Sequence, residues 1–233
     1  MKEEIRKAVK AGIPIVIGYT PAAAAFGVLS KSCGLSLFES FFFSAMVYAG
    51  ASQFIALNLM VTGMGPIGII ITTLLINFRH FLMSAYLATR FKHLAAKHYV
   101  VMAFGVTDEV FSVLSLQRGK ISKTFLFLFQ FLAYFSWVSG TVAGYLMGSL
   151  LPERLIQSMG VALYALLLAI LIPEMRRSGK VILLVVISGI LNTVMLKLEM
   201  LPNGWSIILC ILIVAFIGSY LPESKTAQEG SRA

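Results

Sequence analysis

The sequence predicts an all-α protein that crosses a lipid bilayer several times. Of its 233 residues, 58% are hydrophobic and only 12% are charged, and the mean hydropathy is +0.88. Soluble domains carry about 25% charged residues, so this composition excludes an ordinary water-facing surface. Long apolar runs without strict alternation favour spanning helices over barrel strands. We therefore expect a polytopic helical bundle with seven or eight hydrophobic segments and with broken or re-entrant helices in its first half.

The hydrophobic runs follow one another closely along the chain. A spanning helix needs about 20 apolar residues, and most runs reach that length. They cover residues 11–29, 37–61, 64–88, 99–117, 124–150, 155–172, 179–197 and 203–220. We expect one membrane-embedded domain over residues 1–221 and a polar, disordered C-terminal tail over residues 222–233.

The charge pattern is typical of a multi-pass protein of the inner, cytoplasmic membrane. The net charge is +9, from 19 Lys and Arg against 10 Asp and Glu. The basic residues lie between the apolar runs and form no face with interleaved aromatics, so membrane lipid is an expected partner and nucleic acid is not. The bias of Lys and Arg places the C-terminus in the cytoplasm whether or not run 99–117 spans, while the side of the N-terminus stays open.

Motifs for enzymatic chemistry are not found in the sequence. Cys33 and Cys210 are isolated and have no metal-ligand spacing. No Ser/His/Asp set, paired-histidine site or phosphate-binding glycine loop stands out. The sequence therefore predicts neither an enzyme, nor a metal site, nor a cofactor.

The run over residues 37–61 has small and polar residues at its middle, namely Gly50, Ser52 and Gln53. A helix broken at this point would direct free N–H groups, at its positive end, into the protein interior, where they could bind a carboxylate. The Gln53 side chain would add one directed donor and one acceptor. The alternative is a close-packing face on which Gln53 bonds across helices.

The run over residues 64–88 carries a deep arginine. Arg79 lies about 13 Å from the end of the predicted helix, so bare exposure to lipid would be costly. Asn77 and His80 share another face of this helix because they are three positions apart. The segment is predicted to bind substrate, and the alternative is an ion pair that only fixes helix packing.

The run over residues 99–117 holds two adjacent carboxylates, Asp108 and Glu109. At the centre of a bilayer they would cost several kcal/mol if they faced lipid. The run is therefore a re-entrant or broken helix, or a span whose polar face lines a cavity, unless both groups lie in water at an interface. One carboxylate could pair with Arg79. The other could bind a proton, Na⁺ or an amino group, because a carboxylate removed from water binds protons more readily.

Two further features concern helix packing and shape. Gly140, Gly144 and Gly148 form a strip of small residues at a spacing of four, which favours close contact between helices. In the first run, prolines are expected to kink the helix and could place Tyr19 in a cavity.

Four segments in this order resemble a known family. They read GIPIVIGYTPAAAAFG, GLSLFESFFFSAMVYAGASQF, NFRHFLMSAYL and TDEVF. They are similar to the AzlC family, the large subunits of two-component exporters of branched-chain amino acids. The similarity covers roughly residues 10–115, and the second half agrees in hydropathy and length. Pro21 is followed by four alanines, where family members often have a bulkier residue and an extra glycine.

The resemblance implies a function for the deep polar residues. It implies export of valine, leucine and isoleucine, with methionine as a further candidate, driven by the proton-motive force and assisted by a small AzlD-type membrane subunit. The hypothesis is that Gly50–Gln53 and Arg79 hold the substrate carboxylate, while Asp108 or Glu109 engages the ammonium group or carries the proton. A membrane scaffold or assembly subunit, and a passive channel for small polar solutes, are the alternatives.

Overall fold

The computed structural model describes residues 2–91, 95–117, 121–148, 168, 171–172, 175–176, 178–198 and 205–221. Within these ranges the chain forms helices and no strand, which confirms the predicted all-α class. The described helices are α1 Lys2–Ser32, α2 Leu37–Val47, α3 Gly50–Val61, α4 Pro66–Arg90, α5 Ala96–Phe104, α6 Asp108–Leu116, α7 Lys123–Met147, α8 Gly179–Lys197 and α9 Trp205–Tyr220. Of these, α1, α4, α7 and α8 are long and apolar enough to cross a membrane. The predicted tail over 222–233 and most of run 155–172 lie outside the described residues.

The chain divides into two compact units. One consists of Met1–Leu57 with Ile76–Leu163, and the other of Asn58–Leu75 with Tyr164–Ala233. In the second unit α8 and α9 pack together, with a Leu184 methyl 3.2 Å from where a Cβ on Gly218 would lie. The Lys180 ammonium donates to the Leu221 carbonyl at 2.8 Å. All the candidate site residues are in the first unit, and the expectation of a single domain stays a prediction.

Two of the predicted runs are broken helices, as expected for the first half. Run 37–61 is interrupted after Val47, where Tyr48 adopts a left-handed conformation with φ of 43°, and α3 begins at Gly50. Run 99–117 is interrupted between Phe104 and Asp108. The pieces have 9 to 12 residues and are therefore about 13 to 18 Å long, too short to cross a core of about 30 Å.

The first broken run, α2 with α3, folds back as a hairpin, here called the first hairpin. Ser44 and Gln53 are nine positions apart, yet the Gln53 Nε2 donates to Ser44 Oγ at 3.0 Å. In a continuous helix nine residues would separate them by about 13 Å. Phe43 and Phe54 both place their rings 5.6 Å from the Phe26 ring. The α3 helix therefore runs back toward the end at which α2 begins.

The second broken run, α5 with α6, is also a hairpin, here called the second hairpin. Near its start, the Tyr99 hydroxyl donates to the Phe91 carbonyl at 2.9 Å. At its end, the Arg90 guanidinium donates to the carbonyls of Ser115 and Gln117. Both ends of the hairpin therefore lie beside the C-terminal end of α4. Run 99–117 is re-entrant, one of the arrangements expected for it.

The two hairpins pack against opposite ends of helix α7. At its C-terminal end, the Tyr145 hydroxyl donates to the carbonyl of Leu35, just before the first hairpin, at 2.9 Å. At its N-terminal end, the Phe127 ring lies 5.6 Å from His98, at the start of the second hairpin. Phe127 and Tyr145 are about 27 Å apart along the helix, close to the thickness of a bilayer core. The hairpins therefore reach half-way from each end, and neither run crosses the membrane as a single span.

Helix α1 packs along α7 at backbone distance. A Cβ placed on Gly27 would lie 2.0 Å from the Thr141 carbonyl oxygen, and one on Gly144 would lie 2.1 Å from the Ala24 carbonyl oxygen. The Ser122 hydroxyl donates to Glu4 at 2.5 Å at the N-terminal end of both helices. The two helices therefore run parallel, and they form the frame that holds both hairpins.

Candidate functional site

An ion pair joins α4 to the tip of the second hairpin. The Arg79 Nη1 lies 2.7 Å from the Asp108 Oδ2, and 34% and 25% of the two side chains are exposed. Arg79 lies eleven positions, about 16 Å, before Arg90 at the end of α4. The tip of the hairpin rises to this depth, so the first carboxylate of α6 meets the arginine there. The Arg79 Nε is buried and has no hydrogen-bond partner among the described residues.

The second carboxylate meets a buried tyrosine. The Tyr19 hydroxyl donates to the Glu109 Oε2 at 2.5 Å and lies 2.6 Å from the Thr107 Oγ1. Thr107 is the N-cap of α6, and its Oγ1 accepts from the Val110 N–H at 3.3 Å. Tyr19 is only 6% exposed because it lies on the face of α1 that packs inside the unit. Helix α1 and the second hairpin are therefore joined at the same tip that bears the ion pair.

Aromatic rings join the tips of the two hairpins. The Tyr48 ring, at the tip of the first hairpin, stacks on the Phe104 ring of the second with centroids 6.2 Å apart. The Tyr134 ring of α7 lies 5.0 Å from Tyr48 and 5.7 Å from Phe104. Tyr48 is 3% exposed, and its hydroxyl has no hydrogen-bond partner among the described residues. A buried polar group without a partner is costly, which makes this hydroxyl a candidate contact for a ligand.

The predicted Gln53 segment lies against α7. The Gln53 Oε1 accepts from the Trp137 Nε1 at 3.0 Å and from the Ala49 N–H at 3.2 Å, in addition to the bond from Nε2 to Ser44. A Cβ on Gly50 would lie 2.6 Å from the Trp137 ring, and the Ser52 hydroxyl donates to the Ala49 carbonyl at 2.9 Å. In this structure the polar atoms of Gln53 therefore hold the first hairpin closed.

The remaining predicted residues on α4 lie next to the ion pair. Asn77 and His80 are both half-buried, and the Asn77 Oδ1 has no partner within the described part of the chain. His80 neighbours Arg79 in the sequence, and Glu109 neighbours Asp108, so the ion pair also brings their segments together. Arg79, His80, Asp108 and Glu109 are therefore brought together. Trp137 links this group to Gln53. Its ring lies 5.3 Å from the ring of Tyr19, which bonds to Glu109, and its Nε1 donates to the Gln53 Oε1.

The predicted glycine strip on α7 faces α1. A Cβ on Gly140 would lie 2.8 Å from the Ala23 Cβ, and one on Gly148 would lie 3.4 Å from the Val28 Cα. Together with the close approach at Gly144, the distance at Gly140 leaves no room for a larger side chain at these two positions, while Gly148 is in ordinary contact with α1. The glycines position Tyr19 by setting how closely α1 approaches α7.

One face of α7 contributes to the site and was not predicted from the sequence. Four of its side chains contact the hairpins, each through a hydrogen bond or a ring contact, and they are Gln130, Tyr134, Trp137 and Thr141. They are spaced i, i+4, i+7 and i+11, so they lie on one helix face. Hydrogen-bonding side chains at that spacing in an apolar run were the signal that could have found them.

A metal-binding cluster is not found in the part of the chain that the structure describes. No group of three or more His, Cys, Asp and Glu side chains there could hold a metal ion. The site is instead one guanidinium, two carboxylates and several hydroxyls beneath aromatic rings. Such a set can bind a small zwitterion and a proton.

Comparison with known proteins decides the family. The model of the family described as AzlC protein matches residues 14–151, which is more than half of the chain and runs from α1 to beyond α7. The chain belongs to the AzlC family. The matched region of this AzlC-family chain includes both hairpins and every residue of the site.

Relatives of this AzlC-family chain are membrane proteins. An uncharacterized membrane protein of Archaeoglobus fulgidus is 34% identical over 173 residues, covering 73% of this chain and 76% of the relative. The inner membrane protein YgaZ of Escherichia coli is 32% identical over 195 residues, or 80% of each chain. The branched-chain amino acid transport protein AzlC of Bacillus subtilis is 25% identical over 171 residues, covering 72% of this chain and 66% of the relative. No solved structure matches the chain.

Proposed function

We propose that this chain is the large subunit of a two-component secondary transporter that exports valine, leucine and isoleucine, with methionine as a further candidate. The observation that carries the proposal is the meeting of two half-depth hairpins, from opposite ends of α7, beside the Arg79–Asp108 ion pair. Secondary transporters place substrate sites near the midplane at discontinuous helices. The proton-motive force would drive export. The name of the Bacillus subtilis relative supports the substrate class.

The substrate would bind by exchanging its charges for those of the ion pair. Its carboxylate would take the place of Asp108 on Arg79, because a guanidinium donates two parallel hydrogen bonds to a carboxylate. Its ammonium group would face the carboxylates of α6. Gln53 is a weaker candidate for the carboxylate, because its Oε1 already accepts two hydrogen bonds and its Nε2 donates one.

A small AzlD-type membrane protein would be the second subunit, and the domain over residues 1–221 would be the transport domain. The family resemblance supports this partner. A gene of about 100 codons with several hydrophobic runs beside this one would support it further. Co-purification of the two products from membranes would test the assembly directly.

Amino acid efflux tests the proposed function. Cells producing the full chain and the small subunit should lose preloaded labelled valine and leucine faster than cells without them. Arg79→Gln should abolish that difference while the protein remains in the membrane, and Arg6→Gln, at an exposed position of α1, is the matched control. If Arg79→Gln exports normally, the site is wrong.

Two further results separate the alternatives. A scaffold would lose its complex with the small subunit in Arg79→Gln, whereas a transporter would keep the complex and lose efflux. A passive channel would show no counterflow of labelled leucine against an excess of unlabelled leucine. Counterflow in vesicles therefore supports a carrier, and its absence with leucine, isoleucine, valine and methionine would exclude one.

A further inference from the structure

The site contains one more carboxylate than it has cations to pair with. Asp108 is paired with Arg79 at 2.7 Å, which leaves that pair with no net charge. Glu109 has the neutral Tyr19 hydroxyl as its partner, and no ion pair of Glu109 occurs among the residues described. A charged Glu109 is therefore a surplus negative charge at half depth. Such a charge is costly there, and binding one proton removes it.

Glu109 accepts a hydrogen bond from a neutral hydroxyl, and no ion pair of Glu109 is found among the described residues. The hydroxyl belongs to Tyr19 of α1, and Tyr48 lies at the tip of the first hairpin, which stacks on the second. His80 lies next to Arg79 on α4, and the Arg79 guanidinium is bonded to Asp108. Asp108 precedes Glu109 on α6 and is itself an anion. The proton balance of the cluster therefore depends on Glu109.

Tyr19 can bond to Glu109 in either protonation state. When Glu109 is charged, the Tyr19 hydroxyl donates to it at 2.5 Å and can accept from the Thr107 hydroxyl at 2.6 Å. When Glu109 is protonated, the acid can donate to Tyr19, and Tyr19 can donate to Thr107, because either oxygen of that pair can be the donor. A proton can thus bind and leave without stranding a buried polar group.

We propose that Glu109, and not Asp108, is the carboxylate that binds and releases the coupling proton, and that Tyr19 is the positioning residue that holds it in both states. The inference rests on the proposed function for its role in transport. The proton comes from water and returns to water, forming and breaking one O–H bond on Glu109. In the proposed binding mode the substrate ammonium lies against the carboxylates of α6, so bound substrate should cover Glu109.

Carbodiimide labelling tests this assignment in the wild-type protein. Dicyclohexylcarbodiimide reacts with protonated carboxyl groups in apolar surroundings. The full complex, or the full chain in lipid, is treated at a series of pH values and the adducts are located by mass spectrometry. We expect an adduct on Glu109 and none on Asp108. An adduct on Asp108 in place of Glu109, or none on Glu109 at any pH, overturns the proposal.

Variants extend the test to Tyr19. In Tyr19→Phe the extent of Glu109 labelling at a fixed pH should increase severalfold, since the charged form loses its donor. Asp108→Asn should still be labelled at Glu109, and Glu3→Gln, at a residue exposed at the start of α1, should leave the labelling unchanged. Unchanged labelling in Tyr19→Phe overturns the role of Tyr19.

Valine separates this inference from the proposed function. Valine should protect Glu109 from the reagent at least severalfold at an intermediate pH. If Glu109 is labelled as expected but valine neither protects nor is transported, the substrate assignment fails and the protonation of Glu109 stands. If the wild-type protein transports valine and the Glu109→Gln variant still moves valine in response to a pH gradient, Glu109 is not the carboxylate that binds the coupling proton.

Discussion

The ring of Tyr48 stacks on the ring of Phe104 with centroids 6.2 Å apart, and this contact joins the tips of two hairpins that enter from opposite ends of α7. Each tip consists of only two or three residues outside helices. The ion pair between Arg79 and Asp108 lies at one of these tips.

The re-entrant path of the second hairpin can be checked by thiol labelling. In a chain whose Cys33 and Cys210 are replaced by alanine, Ala95→Cys and Gln117→Cys should react with a membrane-impermeant maleimide from the same side. Ser32→Cys, beside the opposite end of α7, should react from the other side. A spanning run 99–117 would instead expose positions 95 and 117 on opposite sides, and that pattern would exclude the hairpin.

Gln53→Leu should weaken the first hairpin. The Ala49 and Trp137 N–H groups would lose their acceptor, and each unsatisfied buried donor costs about 1–3 kcal/mol. We expect a lower melting temperature of the purified protein in detergent. Ser139→Ala is the control, because that exposed hydroxyl bonds only to a carbonyl of its own helix. Equal melting temperatures for both variants would contradict the role assigned to Gln53.

Gly144→Ala should separate α1 from α7. The added Cβ would lie 2.1 Å from the Ala24 carbonyl oxygen, and overpacking costs about 1–3 kcal/mol. Gly18→Ala is the matched change on α1, where no atom of the described residues lies within 4 Å, and helix propensity favours it by about 1 kcal/mol. Thermal unfolding should rank Gly144→Ala below wild type and Gly18→Ala at or above it. The reverse order would be inconsistent with the close packing of the two helices.

Arg79 and Asp108 should behave as a coupled pair. Arg79→Gln and Asp108→Asn each leave one charge without its partner, so each should lower the stability of the protein. The double variant should lose less than the sum of the two, with a coupling free energy of about 1–3 kcal/mol. Glu3→Gln with Lys7→Gln, an exposed pair on α1, should show little coupling. Additive effects at Arg79 and Asp108 would mean that the contact contributes nothing.

The helices and the charged residues of the site could be predicted from the sequence, whereas the packing of the hairpins could not, for a physical reason. The apolar runs fix where helices form, and the cost of charge in lipid singles out Arg79, Asp108 and Glu109. The re-entrant turns depend on contacts distant in sequence, such as Tyr145 with Leu35, which no local pattern encodes. The sequence could suggest that Tyr19 lies in a cavity but not which group it bonds, since its partner Glu109 is ninety positions away.

The first hairpin lies at the C-terminal end of α7 and the second at the N-terminal end, so different stretches of the chain pack against the two ends of this helix. Within the first unit these two stretches meet at the stacked rings of Tyr48 and Phe104. Each hairpin is also fixed by contacts of its own, the first to α7 through Gln53 and Trp137 and the second to α1 through Glu109 and Tyr19. A substitution in one hairpin should therefore disturb the packing at its own end of α7 more than the packing at the other end.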